Sequence, residues 1–150
     1  MDLTAAGFGA TIAEGLPEMR SMAESLMTLT LTAYSPNGFT VDADGFEVPA
    51  YTNEGTTPGK VQGGSQSGKD TQTRYVRVGD VERPVLEGGL HIPLSAPIPV
   101  PSQQITQGWQ YEVSAVNGLA DLSLLGRRFL VVEVPAKSFA TARRLNVVEI

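Results

Sequence analysis

The sequence predicts a mainly β protein of the α+β class: a small antiparallel β-barrel or sandwich with an N-terminal helix and a long flexible loop. The chain has 150 residues, a length that suits one domain covering residues 1–150. Its 16 Gly and 10 Pro divide it into short elements. Residues 27–33 alternate between apolar and hydroxyl side chains, as a strand with one buried face does. Further short apolar runs between turn residues favour a barrel or sandwich over a helical bundle.

The first 26 residues predict the helix. Apolar residues recur there at spacings of four and three, on one helical face: Phe8, Ile12, Leu16, Met19, Ala23 and Leu26. Pro17 interrupts the pattern, so we expect either a kink or two shorter helices, the second with Pro17 in its first turn. The apolar face should pack against the β domain formed by residues 27–150.

Strand patterns continue through the rest of the chain. Gly45 predicts the left-handed turn residue of a small hairpin at residues 39–48. Beyond it we expect strands near residues 71–78, 88–94, 109–116, 127–134 and 140–148. Trp109 and Tyr111 fall on one, buried face of their strand. Residues 129–132 are apolar at successive positions, so their strand should be covered on both faces.

Residues 52–70 are rich in Gly, Ser and Thr and predict the flexible loop. Within them, residues 63–69 match most of the phosphate-binding loop pattern. However, Asp70 stands where that pattern needs a metal-binding Ser or Thr, and the following residues predict a strand instead of a helix. A flexible loop is therefore preferred over a nucleotide site.

The composition excludes several classes of protein. The chain has no Cys, so it has neither disulfides nor thiolate metal sites. No run approaches the ~20 apolar residues of a membrane span, and the N-terminal segment lacks a signal-peptide pattern, so we expect a soluble, unprocessed protein without membrane partners. The net charge of −5 and pI near 4.8 oppose tight, sequence-tolerant nucleic-acid binding. Residues 1–58 contain eight acids and only Arg20 as a base.

Candidate catalytic and metal-binding residues are sparse. Asp42, Asp44 and Gly45 resemble the start of a calcium loop, but the remaining ligands are missing and a hairpin turn explains them better. His91 is the only histidine, so a catalytic triad would depend entirely on it. We expect an ordinary strand residue there, and neither a cofactor nor a metal site is predicted.

Four arginines near the C-terminus are the preferred interaction residues: Arg127, Arg128, Arg143 and Arg144. One interpretation is that they are solvated charges that discourage sheet-to-sheet aggregation. The other is that they bind carboxylates across a subunit boundary, because the planar guanidinium binds carboxylate in a bidentate manner. Glu14, Glu18 and Glu24 of the helix could supply those carboxylates.

The C-terminal pattern resembles a known family. Residues 125–131 read LGRRFLV and residues 140–147 read ATARRLNV; these, with residues 23–27, residues 58–61 and the GLHIPLSAPIPV stretch before Gly108, resemble the head-closure or stopper proteins of tailed bacteriophages. The resemblance spans most of the chain and rests on several short, diffuse motifs.

The resemblance implies a structural virion protein and no catalysis. It implies a homo-oligomeric ring, six- or twelve-fold with six-fold favoured, at the neck of a particle assembled in the host cytoplasm. A portal or adaptor ring would lie above it and a tail terminator or tail tube below it, with DNA passing through the lumen. Residues of the predicted loop would face the channel or a neighbouring ring: Lys60, Gln62, Ser65, Gln66 and Lys69.

Three alternatives remain open. An adaptor or tail-terminator ring of the same junction would differ only in the rings that it contacts. A monomeric ligand-binding β domain could use Trp109 and Tyr111 as a stacking surface. An enzyme would centre on His91.

Overall fold

The computed structural model describes residues 5–62, 74–102, 107–118, 120–136 and 140–150, with side chains from Glu14 onward. One helix, α1, precedes the strands and covers Ala5–Ser25. The strands are β1 Leu29–Val41, β2 Glu47–Val61, β3 Tyr75–Val78, β4 Val81–Pro84, β5 Leu86–Ile92, β6 Gln110–Val116, β7 Arg128–Glu133 and β8 Arg143–Glu149. A short 3-10 helix at Leu122–Leu124 lies between β6 and β7. The predicted mainly β fold with an N-terminal helix is confirmed.

Six strands form one antiparallel sheet that curls into a barrel in the order β1-β2-β5-β8-β7-β6, with β6 pairing again with β1. The join between β2 and β5 is short. Lys60 lies opposite His91 and Val61 opposite Leu90, and these are its two register pairs. The barrel is therefore weakest in backbone pairing at this seam.

The barrel interior holds the main hydrophobic core. Strands β1, β5, β6, β7 and β8 each contribute buried side chains, whereas β2 contributes the partly buried Val61 and places Gly59 beside Leu31 of β1. The fully enclosed members are Leu29, Leu31, Leu90, Ile92, Tyr111, Val113, Phe129, Val131, Leu145 and Val147. Burial of this set, at about 25 cal/mol per Å² of apolar surface, is the main stabilising contribution.

The small hairpin β3-β4 covers one outer face of the barrel. Val76 and Val78 of this hairpin form a second apolar cluster with Leu130 and Val132 of β7. Arg74, directly before β3, forms ion pairs with Glu87 of β5 and Glu133 of β7. The prediction that residues 129–132 are covered on both faces is thus confirmed, because Phe129 and Val131 face the interior.

The helix α1 runs as one element through Pro17, so of the two alternatives expected there, two shorter helices are wrong. Leu16 is buried, but Met19, Met22 and Leu26 are 40%, 68% and 61% exposed. The Arg20 Nε–H donates to the Ala140 carbonyl oxygen at 3.2 Å and connects α1 to the segment before β8. From Leu16 onward, where the side chains are described, the predicted apolar face is therefore only partly covered by this chain.

Two predictions about strands need correction. The flexible loop was placed at residues 52–70, but residues 52–61 belong to β2, where they pair with β1. Small and hydroxylated side chains suit both strands and loops. Here the pairing with β1 makes these residues a strand. The strand β4 was not predicted, because its sequence VERP contains only one strongly strand-forming residue. Residues 63–70 lie outside the described residues.

Candidate functional site

Arg128 has its carboxylate partner within its own chain. Its Nη2 lies 2.8 Å from Oε2 of Glu112, which is its neighbour across the β6-β7 ladder. Its Nε–H donates to the same oxygen at 3.1 Å, and the guanidinium lies 5.2 Å from the ring centroid of Tyr34. This prediction of an intersubunit arginine is not supported by the geometry, since the side chain is already bound on both sides.

Arg127 also pairs within the chain. Its Nε is 3.4 Å from Oε1 of Glu149, and both side chains are nearly half exposed. An exposed pair of this kind contributes little to stability. Arg127 therefore remains accessible, although its charge is partly neutralised.

Arg143 and Arg144 differ from the preceding pair. Among the described residues, neither forms an ion pair with a carboxylate. The Arg143 Nε is buried and without a hydrogen-bond partner within the described part of the chain, while Arg144 is exposed. Glu14, Glu18 and Glu24 are exposed on α1 and form no ion pair with these arginines within the described part of one chain, so their pairing across a subunit boundary stays a prediction. The exposed guanidinium of Arg144 is thus available to an external carboxylate or phosphate, whereas that of Arg143 is partly buried.

Three basic residues lie side by side across the seam of the barrel. Lys60 of β2 is opposite His91 of β5, and His91 is opposite Arg144 of β8. We call these three residues the cationic row. The positive charges of Lys60 and Arg144 thus flank the imidazole on its two sides, and charges of the same sign this close repel each other. The row is therefore an arrangement that an anionic partner would stabilise.

The imidazole of His91 responds to its cationic neighbours. Burial lowers the pKa of His91 from the ordinary value, and the positive charges of Arg144 and Lys60 lower it further, against an opposing hydrogen bond with the Gly88 backbone. His91 is thus held mainly neutral at pH 7 in the isolated chain. An anion bound at the row would reverse the electrostatic part of this effect and favour the imidazolium.

Two cavities adjoin the cationic row and share Ala142 and Arg144. We call them together the end groove. The first, of about 310 Å³, contains the row and is bordered by Leu26 and Met27 at the end of α1. The second, of about 540 Å³, is lined mainly by small and apolar residues: Gly88, Leu94, Pro135, Ala136, Ala140 and Ala142, with Glu87, Arg143, Arg144 and Asn146. The end groove thus combines cations with apolar surface.

A long hairpin projects from the opposite end of the barrel. Strand β6 pairs with β1 only as far as Tyr34, yet the β1-β2 ladder continues to Val41 and Glu47. We call residues 35–52 the hairpin arm. Eight residues beyond Tyr34, at ~3.3 Å per residue, carry its tip roughly 25 Å from the barrel. Large side chains at this tip are exposed: Phe39 59%, Val41 67% and Phe46 69%.

The tip of the hairpin arm is a well-defined turn. Asp42 Oδ1 accepts hydrogen bonds from the backbone N–H groups of Asp44 and Phe46, at 3.0 and 2.9 Å. Gly45 has φ +86°, which only Gly adopts easily. The prediction of a hairpin turn here is confirmed. Among the described residues, no group of three or more metal-binding side chains occurs.

Of the remaining predicted loop residues, Lys60 and Gln62 both line the first cavity of the end groove. Lys60 belongs to a strand and to the cationic row, and the Gln62 N–H donates to the Gly89 carbonyl oxygen at 2.8 Å. Ser65, Gln66 and Lys69 lie outside the described residues. Sequence reasoning missed the row itself, because its members come from three strands that are distant in the chain. In the sequence, each member is simply a basic residue next to an apolar one on its strand, and this does not predict that the three lie together.

The stacking surface proposed for a ligand-binding domain is not formed. Tyr111 is 1% exposed inside the barrel, and burial raises the pKa of its phenol above the ordinary range. Trp109 is half-buried and packs against the same core. A ring that faces the interior cannot stack on a ligand from solvent. In the described parts of the chain, no helix is both long and apolar enough to cross a membrane.

Comparison with protein families places most of the chain in a known family. Residues 19–148 match the model of a family of unknown function, DUF6093. Neither the curated proteins nor the solved structures contain a significant match to the chain. The family match covers the end of α1, the hairpin arm and every strand of the barrel except the last residue of β8. The chain therefore belongs to the DUF6093 family.

Proposed function

We propose that this protein is a structural component of the neck of a tailed bacteriophage. It would form a homo-oligomeric ring that connects the portal or adaptor to the tail and closes the DNA channel after packaging. The proposal rests on the resemblance of residues 125–131 and 140–147 to head-closure proteins, together with surfaces that a single subunit leaves uncovered.

The uncovered apolar surface at both ends of the molecule is the observation that carries the proposal. Phe39, Val41 and Phe46 are more than half exposed on the hairpin arm, as are Met22 on α1 and Leu26 just after it. Monomeric soluble proteins scatter such residues singly, whereas groups of them mark interaction sites. An extended arm with an apolar tip and a partly uncovered helix are features expected of a subunit in an assembly.

The charge distribution is compatible with a DNA conduit. The chain carries 16 acids and 11 Lys or Arg, so a ring of copies would be acidic overall. Each phosphate contact strengthens DNA binding and its salt dependence. DNA that must slide through a lumen needs few such contacts. The ring of this proposal holds DNA by closure of the channel and not by affinity.

The enzymatic alternative has little geometric support. A triad requires a carboxylate that orients the histidine, but the cross-strand neighbours of His91 are Lys60 and Arg144. Both neighbours also lower the affinity of the imidazole for a proton. A general base needs a neighbour that stabilises the imidazolium, and this arrangement does the opposite.

The test is assembly of the purified chain and its position in particles. Analytical ultracentrifugation over a range of concentrations, with negative-stain imaging, should detect rings of one defined size. The protein should also be a structural component of purified virions. A chain that remains monomeric at all concentrations and does not enter particles would rule the proposal out. Contacts with portal-side or tail-side rings in the particle would distinguish head closure from adaptor and terminator roles.

A further inference from the structure

We infer that the hairpin arm of one copy docks into the end groove of a second copy, with arm carboxylates bound by the cationic row. This inference deepens the proposed function, on which it rests, by assigning the surfaces that join neighbouring subunits. The ligand of the end groove is thus an acidic, aromatic β-hairpin belonging to another copy of this chain.

Charge complementarity supports this partner. The hairpin arm, residues 35–52, contains Asp42, Asp44 and Glu47 and no Lys or Arg. The cationic row contains no acid, and in the described residues Arg144 has no carboxylate partner. Asp42 is occupied by the turn, but Asp44 and Glu47 are exposed. These two carboxylates are available to a cationic surface.

Apolar complementarity supports it as well. Phe46 is 69% exposed beside the arm carboxylates. The larger cavity of the end groove lies directly beside Arg144 and is lined by Leu94, Pro135 and Ala142. The side chain of Phe46, next to the arm carboxylates, therefore matches the apolar cavity, which lies next to the Arg144 guanidinium. Aromatic residues that fill pockets are typical anchors of protein interfaces.

The arm cannot reach the groove of its own chain. Glu47 begins β2 and Lys60 lies at the other end of the same strand, next to its last residue Val61. At ~3.3 Å per residue, the two are roughly 40 Å apart along an extended backbone. The arm and the groove are thus at opposite ends of the barrel. Contacts between two different surfaces are head-to-tail contacts, which generate closed rings or open filaments.

A charge-swap experiment tests the docking. An arm variant carries Asp44→Lys and Glu47→Lys, and a row variant carries Lys60→Glu and Arg144→Glu. Each alone places like charges on both surfaces, so its self-association constant should weaken at least about tenfold. A 1:1 mixture restores an opposite charge at every arm-groove contact. It should therefore regain assemblies of wild-type size in sedimentation velocity, with the two variants alternating.

Matched controls reverse as many charges elsewhere. Asp80→Lys with Glu82→Lys changes exposed acids of the β3-β4 hairpin, and Arg77→Glu with Arg127→Glu changes exposed bases away from the end groove. Both controls should assemble like the wild type. Circular dichroism melts should show that all variants are folded. If the row variant does not fold, Lys60→Gln with Arg144→Gln provides the same comparison without added repulsion.

The results separate the docking from the proposed function. Three outcomes would overturn the docking. The arm and row variants could assemble like the wild type, the mixture of folded variants could stay monomeric, or the β3-β4 control could lose assembly. Those outcomes would leave the ring itself intact. A wild-type chain that neither associates nor enters particles would overturn both.

Discussion

Glu47 and Lys60 lie at opposite ends of the same strand, β2, one at the base of the turn of the hairpin arm and the other in the cationic row. A single element thus places an acidic tip and a basic seam on opposite ends of the barrel. Each subunit consequently has two different and complementary ends. This polarity is the structural basis of the proposed head-to-tail assembly.

Phe46→Ser should weaken self-association and leave the fold unchanged. The phenyl group of Phe46 is 69% exposed, so its removal uncovers no buried core. The free energy of unfolding should therefore change by less than about 0.5 kcal/mol. Sedimentation equilibrium measures the association and thermal melts measure the stability. Tyr75→Ser is the matched control, because Tyr75 is 59% exposed on β3, away from the arm. Equal effects of the two changes would contradict the assigned role of the arm tip.

Gly59→Ala should destabilise the barrel by about 1–3 kcal/mol. A Cβ at this position would overlap the Leu31 side chain and lie 3.1 Å from the His91 carbonyl oxygen. Gly15→Ala is the control, because Gly15 lies within α1 and a Cβ there meets only the end of Met19 at 4.0 Å. In a helix interior this change stabilises by up to ~1 kcal/mol. Urea unfolding of both variants checks the prediction, which fails if Gly59→Ala is neutral.

The Arg128–Glu112 pair should contribute a measurable coupling energy. A double-mutant cycle with Arg128→Ala and Glu112→Ala should give about 0.5–1 kcal/mol, at the upper end for exposed pairs, because Glu112 is 29% exposed and both donors reach one oxygen. The corresponding cycle for Arg127 and Glu149, which are 3.4 Å apart and more exposed, should give less. A larger coupling for the second pair would be inconsistent with this geometry.

The stability of the isolated chain should fall as the pH drops below about 6.5, partly through His91. Burial and the facing charges of Arg144 and Lys60 lower the pKa of His91 in the folded chain. The unfolded chain therefore takes up this proton at a higher pH than the folded chain, which favours unfolding as the pH falls. Most carboxylates titrate lower, near pH 4. Chemical unfolding between pH 7.5 and 5.5 should show a smaller slope for His91→Gln; an unchanged slope would contradict the assignment.

Much of the barrel could be predicted from local patterns. Residues 27–33 alternate strictly, and Leu29 and Leu31 are fully enclosed, because a period of two directs one face of a strand inward. The apolar run from Phe129 to Val132 correctly predicted a strand covered on both sides. Asp42 and Gly45 predicted the turn, since their side-chain and backbone preferences act within a few residues.

The remainder depends on contacts between distant segments. Residues 52–61 form a strand only because β1 lies alongside them, and Thr or Gly residues carry no local signal of that partner. The arginine pairs were treated alike in the sequence. In the fold, Arg128 meets Glu112 across a ladder, whereas Arg144 meets His91. The register between strands, which cannot be read directly from the sequence, gives Arg128 an ion-pair partner and leaves Arg144 without one among the described residues.

The most direct measurement of the proposed function is the position of this protein in purified tailed particles. Gold-labelled antibody, or cryo-electron microscopy of the intact neck, should place a ring of copies between the capsid portal and the tail, with each hairpin arm on the neighbouring subunit. Particles that contain the protein elsewhere, or that lack it at the capsid–tail junction, would contradict the account.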